Sequence, residues 1–446
     1  MRIIIAGAGD VGFHLAKLLA IEEHDINIID LDSSKLQYIS NHLDVNTIKG
    51  SATSYKILEE AKISKADLLI AVTESESTNI STAIIGKNLG AKKTIARISN
   101  TEFLQKKDVL NLKSIGIDEV ISPESLAAKE IKKLLKETAL TDTFEFENGI
   151  LSLVGVTIDE DSELLDQSLA DTAHLNPDRN FNTVAILRGN ETIIPHGTNK
   201  FMLNDHAYFI TQPDGLERVM NLSGKIRTPV KNLMILGGSK IGIQTAMQLS
   251  SKYKIKLIEQ DKEKCFELAD QLPDTLIING DGRDVELLQE EGIGDMDAFI
   301  AVTGNSETNI ITSLVAKNHN VKKTIALVEN IDYIHLSQNI GVDTMINKKL
   351  IAASFIFRHI RKGQVLNLIS IHGVDGELLE FEVKPNSKIL DVEIKDLNFP
   401  RSAIIGGVIR NNQGITVRGN FRFKEKDRVV VLSKPECIRT VEGFFK

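Results

Sequence analysis

Only two cysteines occur among the 446 residues, Cys265 and Cys437. They stand far apart and in no metal or redox spacing. That excludes a disulfide framework and a cysteine-held cluster, and it fits a reducing cytoplasm. Long apolar runs are missing as well. Nothing approaches the roughly 18 consecutive apolar residues that cross a bilayer. No signal peptide is expected either, because a first strand begins at Arg2 and Asp10 soon interrupts the apolar residues. Any membrane role is therefore expected to run through a partner. Basic blocks are absent, and 53 Lys+Arg against 61 Asp+Glu leave a net charge of −8. This argues against a nucleic-acid protein, whose affinity rests on phosphate neutralisation. Catalytic constellations are the last absence. The ten histidines are scattered, and no nucleophile–base pair, metal cluster or Gly-Lys-Ser/Thr phosphate turn stands out. The chain is expected to hold no metal and to catalyse nothing.

What is present is a soluble-protein composition, 42% hydrophobic and 26% charged, over a length that suits about three or four domains. The organising stretch is Gly7-Ala8-Gly9-Asp10-Val11-Gly12. It follows the apolar run Ile3–Ala6 and opens a helical pattern from Phe13 to Ala20. Strand, glycine turn and helix form the arrangement a dinucleotide phosphate needs. The first glycine makes the tight turn, the second lets backbone approach the pyrophosphate, and the third lets helix and strand pack closely. The helix N-terminus supplies N–H donors and a positive dipole end. Asp30 ends a second apolar run, Ile26–Ile29, where a carboxylate would hold a ribose hydroxyl.

The same text recurs. Gly237-Gly238-Ser239-Lys240-Ile241-Gly242 follows Met234-Ile235-Leu236, and Glu259 ends the next apolar run. Asp67–Thr73 returns as Asp297–Thr303, and Lys92–Ala96 as Lys322–Ala326. Four stretches at nearly constant offset identify a tandem duplication. Short, continuously apolar strands alternate with helices through residues 1–122 and again through 231–347. This predicts two doubly wound parallel sheets of the Rossmann type. Residues 123–148 read as an amphipathic helix, opened by Pro123, and a connection. The stripe Leu126, Ala127, Ile131, Leu134 and Leu135 lies either on its own domain or on a neighbouring subunit. Residues 149–222 and 364–446 read as small α+β modules, each with a hairpin, at Gly189-Asn190 and at Asn411–Gly414. Residues 223–230 are a linker, and 348–363 a second crossover helix ended by Gly363.

Several residues invite a ligand, each beside a blander reading. Asp30 either holds a ribose or is a strand-end carboxylate. As a ribose ligand it predicts that NADP binds poorly, since a 2′-phosphate would face its charge, while NAD, NADH, ATP and ADP stay open. Thr73 and Glu74 end the fourth strand, and Ser77, Thr78 and Asn79 are explained by capping alone. Arg97 either clamps a phosphate or pairs with a surface acid, and its counterpart is Leu327. The loops Gly50–Thr53 and Gly280–Gly282 are placed to approach adenine or ribose. Ser239 stands where the second glycine of the fingerprint is wanted, so the second site is expected to be weaker or to take a different nucleotide.

Glycine turn, Ile29-Asp30-Leu31-Asp32, Ala71-Val72-Thr73, Ile95-Ala96-Arg97 and the duplicated layout together resemble the Trk potassium uptake regulators. These are cytosolic proteins with two RCK (KTN) units. The resemblance covers the whole chain. It implies that Gly7, Ala8, Gly9, Asp10, Val11, Asp30, Thr53, Thr73, Glu74 and Arg97 contact NAD(H) or ATP/ADP as regulatory ligands. In the second half it implies Gly237, Gly238, Ser239, Lys240, Ile241, Glu259, Asp281 and Thr303, with Ser239 and Leu327 as departures. It also implies a ring, expected to be a homotetramer, on the cytoplasmic face of the inner membrane beneath a potassium-translocating subunit (TrkH/TrkG-like). Crossover helices would pair through Ile131–Leu135 and Phe355–Ile360. An NAD-dependent oxidoreductase and an RCK-type regulator of another cation transporter remain the alternatives.

Overall fold

The computed structural model describes the chain apart from residues 21–23, 101–102, 104–110, 136–139, 141, 190, 225–229, 331–332, 334–340, 362–365 and 372–373. Asn190, Gly363 and most of the expected linker therefore lie outside the described residues. Strands β1 (Arg2–Ala6), β2 (Asp25–Asp30), β3 (Asn46–Lys49), β4 (Leu68–Ala71), β5 (Thr94–Arg97) and β6 (Glu119–Ile121) alternate with helices α1 (Asp10–Ala20), α2 (Ser33–His42), α3 (Tyr55–Glu60) and α4 (Glu76–Asn88). The strands form one parallel sheet in the order β3-β2-β1-β4-β5-β6. Ile3, Ile4 and Ile5 of the central β1 are 0% exposed. Each contributes roughly 1.5–3 kcal/mol by leaving water, which is why this strand is apolar on both faces.

Helix α1 starts at Asp10, three residues before its apolar periodicity does. The glycine turn is itself the first helical turn, with Phe13 N–H donating to the Gly9 carbonyl at 2.8 Å. Gly7 has φ +116°, and a Cβ there would meet Thr73 N at 2.8 Å. A Cβ at Gly12 would collide with the Gly7 carbonyl oxygen. Two of the three glycines are thus fixed by chain packing alone.

Helix α5 (Pro123–Leu134) leads to the first small module: β7 (Asp142–Phe146), β8 (Leu151–Thr157), β9 (Phe181–Arg188), β10 (Glu191–Ile193), β11 (His206–Thr211) and helix α6 (Pro213–Leu222). Its sheet runs β10-β9-β11-β8-β7, antiparallel throughout. Strand β7 corrects the sequence reading, which has residues 123–148 as helix and connection. Five residues next to a turn give too short an alternation to recognise, yet Phe146 is fully buried in the module core.

The second parallel sheet repeats the first. It contains β12 (Asn232–Leu236), β13 (Lys254–Glu259), β14 (Thr275–Asn279), β15 (Ala298–Ala301), β16 (Lys323–Leu327) and β17 (Thr344–Ile346). Its helices are α7 (Lys240–Leu249), α8 (Lys262–Gln271), α9 (Val285–Glu290) and α10 (Ser306–Asn318), and the strand order is β14-β13-β12-β15-β16-β17. Helix α11 (Lys348–Arg361) comes next. The second module then adds β18 (Asn367–Ser370), β19 (Glu377–Glu382), β20 (Ala403–Arg410), β21 (Gln413–Ile415), β22 (Arg428–Ser433) and α12 (Ile438–Glu442). Its sheet order β18-β19-β22-β20-β21 is that of the first module. The duplication reaches side chains: Arg188 pairs with Asp205 at 2.8 Å and Arg410 with Asp427 at 2.7 Å, both acids 1% exposed.

Residues Met1–Ala127 and Asn347–Ile360 form one compact unit, and Ala128–Ile346 with Arg361–Lys446 form another. The helix after the second sheet thus belongs to the unit of the first sheet. In the other unit Ile131, Leu134 and Leu135 are at most 2% exposed. These three residues of the stripe are thus buried within the chain itself, while Leu126 is half-buried. Within that same unit the two modules share a core, where Leu151, Val184, Tyr208 and Ile210 meet Ile369, Leu378, Ile409 and Val430. Gly406 permits the approach, since a Cβ there would lie 2.6 Å from Ile210 Cγ1.

Candidate nucleotide sites

Strand β1 lies between β2 and β4, so the connections diverge to opposite sides at the carboxyl end of β1. Ligands of open α/β sheets bind in that crevice. Asp30, at the end of β2, closes the glycine turn: its Oδ2 accepts from Ala8 N–H at 2.6 Å and its Oδ1 from Asp32 N–H at 2.9 Å. Asp32 caps α2 by accepting from Ser34 N–H at 2.8 Å. Asp30 is thereby held rigidly beside the turn by backbone donors, with lone pairs left on both oxygens. Gly9 differs from its two neighbouring glycines, because a Cβ there would meet nothing within 4 Å. No protein atom explains its lack of a side chain, whereas a pyrophosphate lying against the backbone would.

At the end of β4, Thr73 is fixed by a buried amide. Asn79 is 1% exposed. Its Oδ1 accepts from Thr73 N–H at 2.8 Å and from the Thr73 hydroxyl at 2.7 Å. Its Nδ2 donates to the Thr73 and Arg97 carbonyls at 3.0 Å. Asn79 therefore ties the ends of β4 and β5 together, a role beyond the capping that its position in the sequence suggests. Ser75 is the cap, accepting from Thr78 N–H at 3.2 Å. Thr53 shares a hydrogen bond with Ser51 Oγ at 2.9 Å. Glu74 is exposed, 3.5 Å from the Lys35 ammonium. Val11 is 7% exposed, with its side chain buried. The Arg97 guanidinium lies 3.4 Å from Glu124, a largely buried acid that also accepts from Ser99 Oγ at 2.9 Å. Asp10, in the first turn of α1, pairs with Lys349 of α11 at 2.6 Å.

The second half holds a cleft of about 460 Å³ at the corresponding place. Gly237, Ser239, Glu259, Asp281 and Thr303 line it, together with Lys264 and Arg283. Glu259 Oε2 accepts from Gly238 N–H at 2.9 Å and from the Lys264 ammonium at 3.0 Å. Burial disfavours its ionisation, but the Asp261 N–H, the Lys264 ammonium and the Gly238 N–H outweigh that and hold the carboxyl below its ordinary pKa. Asn309 repeats Asn79, accepting from Thr303 N–H at 2.9 Å and from its hydroxyl at 2.7 Å. Ser239 fits without distortion: its Oγ caps α7 by accepting from Gly242 N–H at 3.3 Å and donates to the Val302 carbonyl at 2.6 Å. Ile241 is 3% exposed and does not line the cleft. Asp281 is engaged by Arg283 at 2.6 Å, which keeps its carboxyl below the ordinary range.

Sequence reasoning gave Asn79 only a capping role and missed Asn309, Lys264 and Lys349. The repeated Thr-x5-Asn spacing of Thr73/Asn79 and Thr303/Asn309 was the available signal for the first two. Both crevices thus combine a helix N-terminus and a fixed carboxylate, a set of groups that fits an adenosine diphosphate moiety, and the first adds an open backbone at Gly9 where the second has Ser239. Among the described residues no group of three His, Cys, Asp or Glu is placed to hold a metal ion. Likewise no helix is long and apolar enough to cross a membrane.

The TrkA-N domain model matches residues 3–123 and 233–348, and the TrkA-C domain model matches 153–224 and 378–446. The chain belongs to the TrkA family. It is 34% identical over 453 residues to the Trk system potassium uptake protein TrkA of Haemophilus influenzae, covering 100% of this chain and 99% of that one. The fold is also that of a GsuK channel structure bound to NAD (TM-score 0.61, 14% identity, 100% of this chain and 78% of that one). A GsuK structure bound to ADP gives a TM-score of 0.51 at 13% identity, over 80% of this chain and 68% of that one. Two Rossmann-like sheets, each followed by a small module, constitute the fold of a tandem RCK protein.

Proposed function

We propose that this TrkA-family chain is the cytosolic regulatory subunit of a Trk-type potassium uptake system. It binds NAD(H) or ATP/ADP at two glycine-turn sites and gates a potassium-translocating membrane subunit. The observation that carries the reading is the doubled site: two carboxylates, Asp30 and Glu259, each accept from the N–H of the residue after the first turn glycine. The potassium-uptake name of the Haemophilus influenzae relative and the NAD and ADP of the GsuK structures point the same way. The ligands act as signals and leave unchanged. Nucleotide shifts a conformational balance only by its differential affinity for the two states. Tenfold discrimination at one site is about 1.4 kcal/mol, so two sites per chain in a ring of four would supply roughly ten kcal/mol. That summation gives duplication and assembly a purpose in a regulator.

The test is potassium flux into liposomes carrying the membrane subunit and this chain, with ATP, ADP, NADH or none. Flux should differ among these conditions. Identical flux in all four, or steady NADH consumption by the isolated chain, would sink the reading.

A further inference from the structure

The first glycine turn carries an acid where a phosphate would approach. Asp10 occupies the first turn of α1, and its side chain is 64% exposed. In the second half the same position is Lys240, so that turn brings its own cation. The first turn instead borrows one. Lys349 Nζ lies 2.6 Å from Asp10 Oδ2, with its side chain only 17% exposed. It belongs to the opening turn of α11, where Asn347 Oδ1 accepts from the Lys349 and Leu350 N–H groups at 3.0 Å. That turn comes directly after β17, the last strand of the second sheet, yet Asn347–Ile360 pack in the unit of the first sheet. The exchange of charge is reciprocal in sequence: Glu124 holds in the first half the place of Lys349 in the second.

We propose that Lys349 is a ligand-binding residue of the first nucleotide site, supplying the cation for the diphosphate of an adenosine nucleotide. This rests on the reading of that site as a nucleotide site. The ammonium neutralises Asp10 across their 2.6 Å contact. A diphosphate at the helix N-terminus carries more negative charge than one carboxylate and draws the ammonium away from it. His14, one turn along α1 from Asp10, lies in the same field: burial lowers its pKa, Asp10 opposes this, and Lys17 and Lys349 reinforce it.

Calorimetric titration of the full-length chain with ADP and with adenosine tests this, the first site being assigned as the one lost in Asp30→Ala. Lys349→Gln should weaken ADP at that site about tenfold and change adenosine less than twofold. Lys349→Arg should restore most of the loss, and Asp10→Asn should tighten ADP severalfold. Thermal unfolding of each variant identifies any loss caused by misfolding, and the arginine variant and Asp10→Asn still decide the matter in that case. If Asp30→Ala abolishes the site while Lys349→Gln and Asp10→Asn leave ADP affinity unchanged, the role of Lys349 is refuted and the nucleotide reading stands. If the wild-type chain binds neither compound, both fall.

Discussion

A 2′-phosphate is the most discriminating probe of the two acid-bearing crevices. Asp30 is part-buried and held by two backbone N–H groups, at 2.6 and 2.9 Å, so it cannot swing away from an incoming ribose without breaking both. Unit charges 4 Å apart repel by about 4 kcal/mol at an effective dielectric of about 20. Solvent at the crevice mouth reduces this to about 2 kcal/mol, or roughly thirtyfold in Kd. Glu259 presents a different field, because the Lys264 ammonium sits 3.0 Å from its Oε2. The pair is nearly neutral, and a 2′-phosphate should be discriminated against by no more than about threefold there. Calorimetry with NAD and NADP on the wild type, Asp30→Asn and Glu259→Gln checks both. The asparagine removes the charge and keeps an oxygen for the Ala8 N–H, although its NH2 then faces the Asp32 N–H in place of the second carboxylate oxygen; it should bring the ratio at the first site near one. The reasoning is refuted if NADP binds the first site within threefold of NAD, or if Asp30→Asn leaves that ratio unchanged.

Three further outcomes are expected. Gly12→Ala drives a methyl into the Gly7 carbonyl and should destabilise the first unit by more than about 2 kcal/mol, whereas Gly9→Ala meets nothing within 4 Å. The latter should melt like wild type in a thermal scan yet lose nucleotide affinity, and a stability loss at Gly9 as large as at Gly12 would contradict the assignment. Asn79→Ala removes four hydrogen bonds to Thr73 and Arg97 and leaves buried partners unsatisfied, which should cost about 2–4 kcal/mol by denaturant titration; a change under about 0.5 kcal/mol would show that Asn79 does not tie the strands. Glu259 has a folded pKa below its ordinary value, so the unfolded chain takes up its proton at higher pH than the folded chain does. Its stabilisation is present above the ordinary value and lost as pH falls through the depressed one. Glu259→Gln should flatten the acid limb of a melting-temperature profile between those two points, and an unchanged limb would argue against the inference.

Much of the site is legible in the residues because it is local. The glycine turn, Asp30 and Thr73 are read from the end of an apolar strand and the few residues beyond it, and strand ends are where a parallel sheet collects its ligand groups. Ser239 is harder to judge from sequence. Its Cβ reads as an obstacle, but the hydroxyl caps α7 and the backbone accepts it unstrained. For Arg97 the residues leave a choice between phosphate and acid; the structure supplies an acid, Glu124, from the helix that begins two residues after β6.

The duplication, the two parallel sheets and the family were determined by sequence alone, since apolar periodicity and a repeated glycine turn encode them within spans of a few tens of residues. The tertiary structure alone decided that α11 packs with the first sheet and that Lys349 meets Asp10. Those contacts join residues far apart in the sequence, and no local pattern of apolar and polar residues encodes them. Hydrophobic burial has no direction, so which surfaces meet depends on how the whole chain packs and not on any one stretch of it.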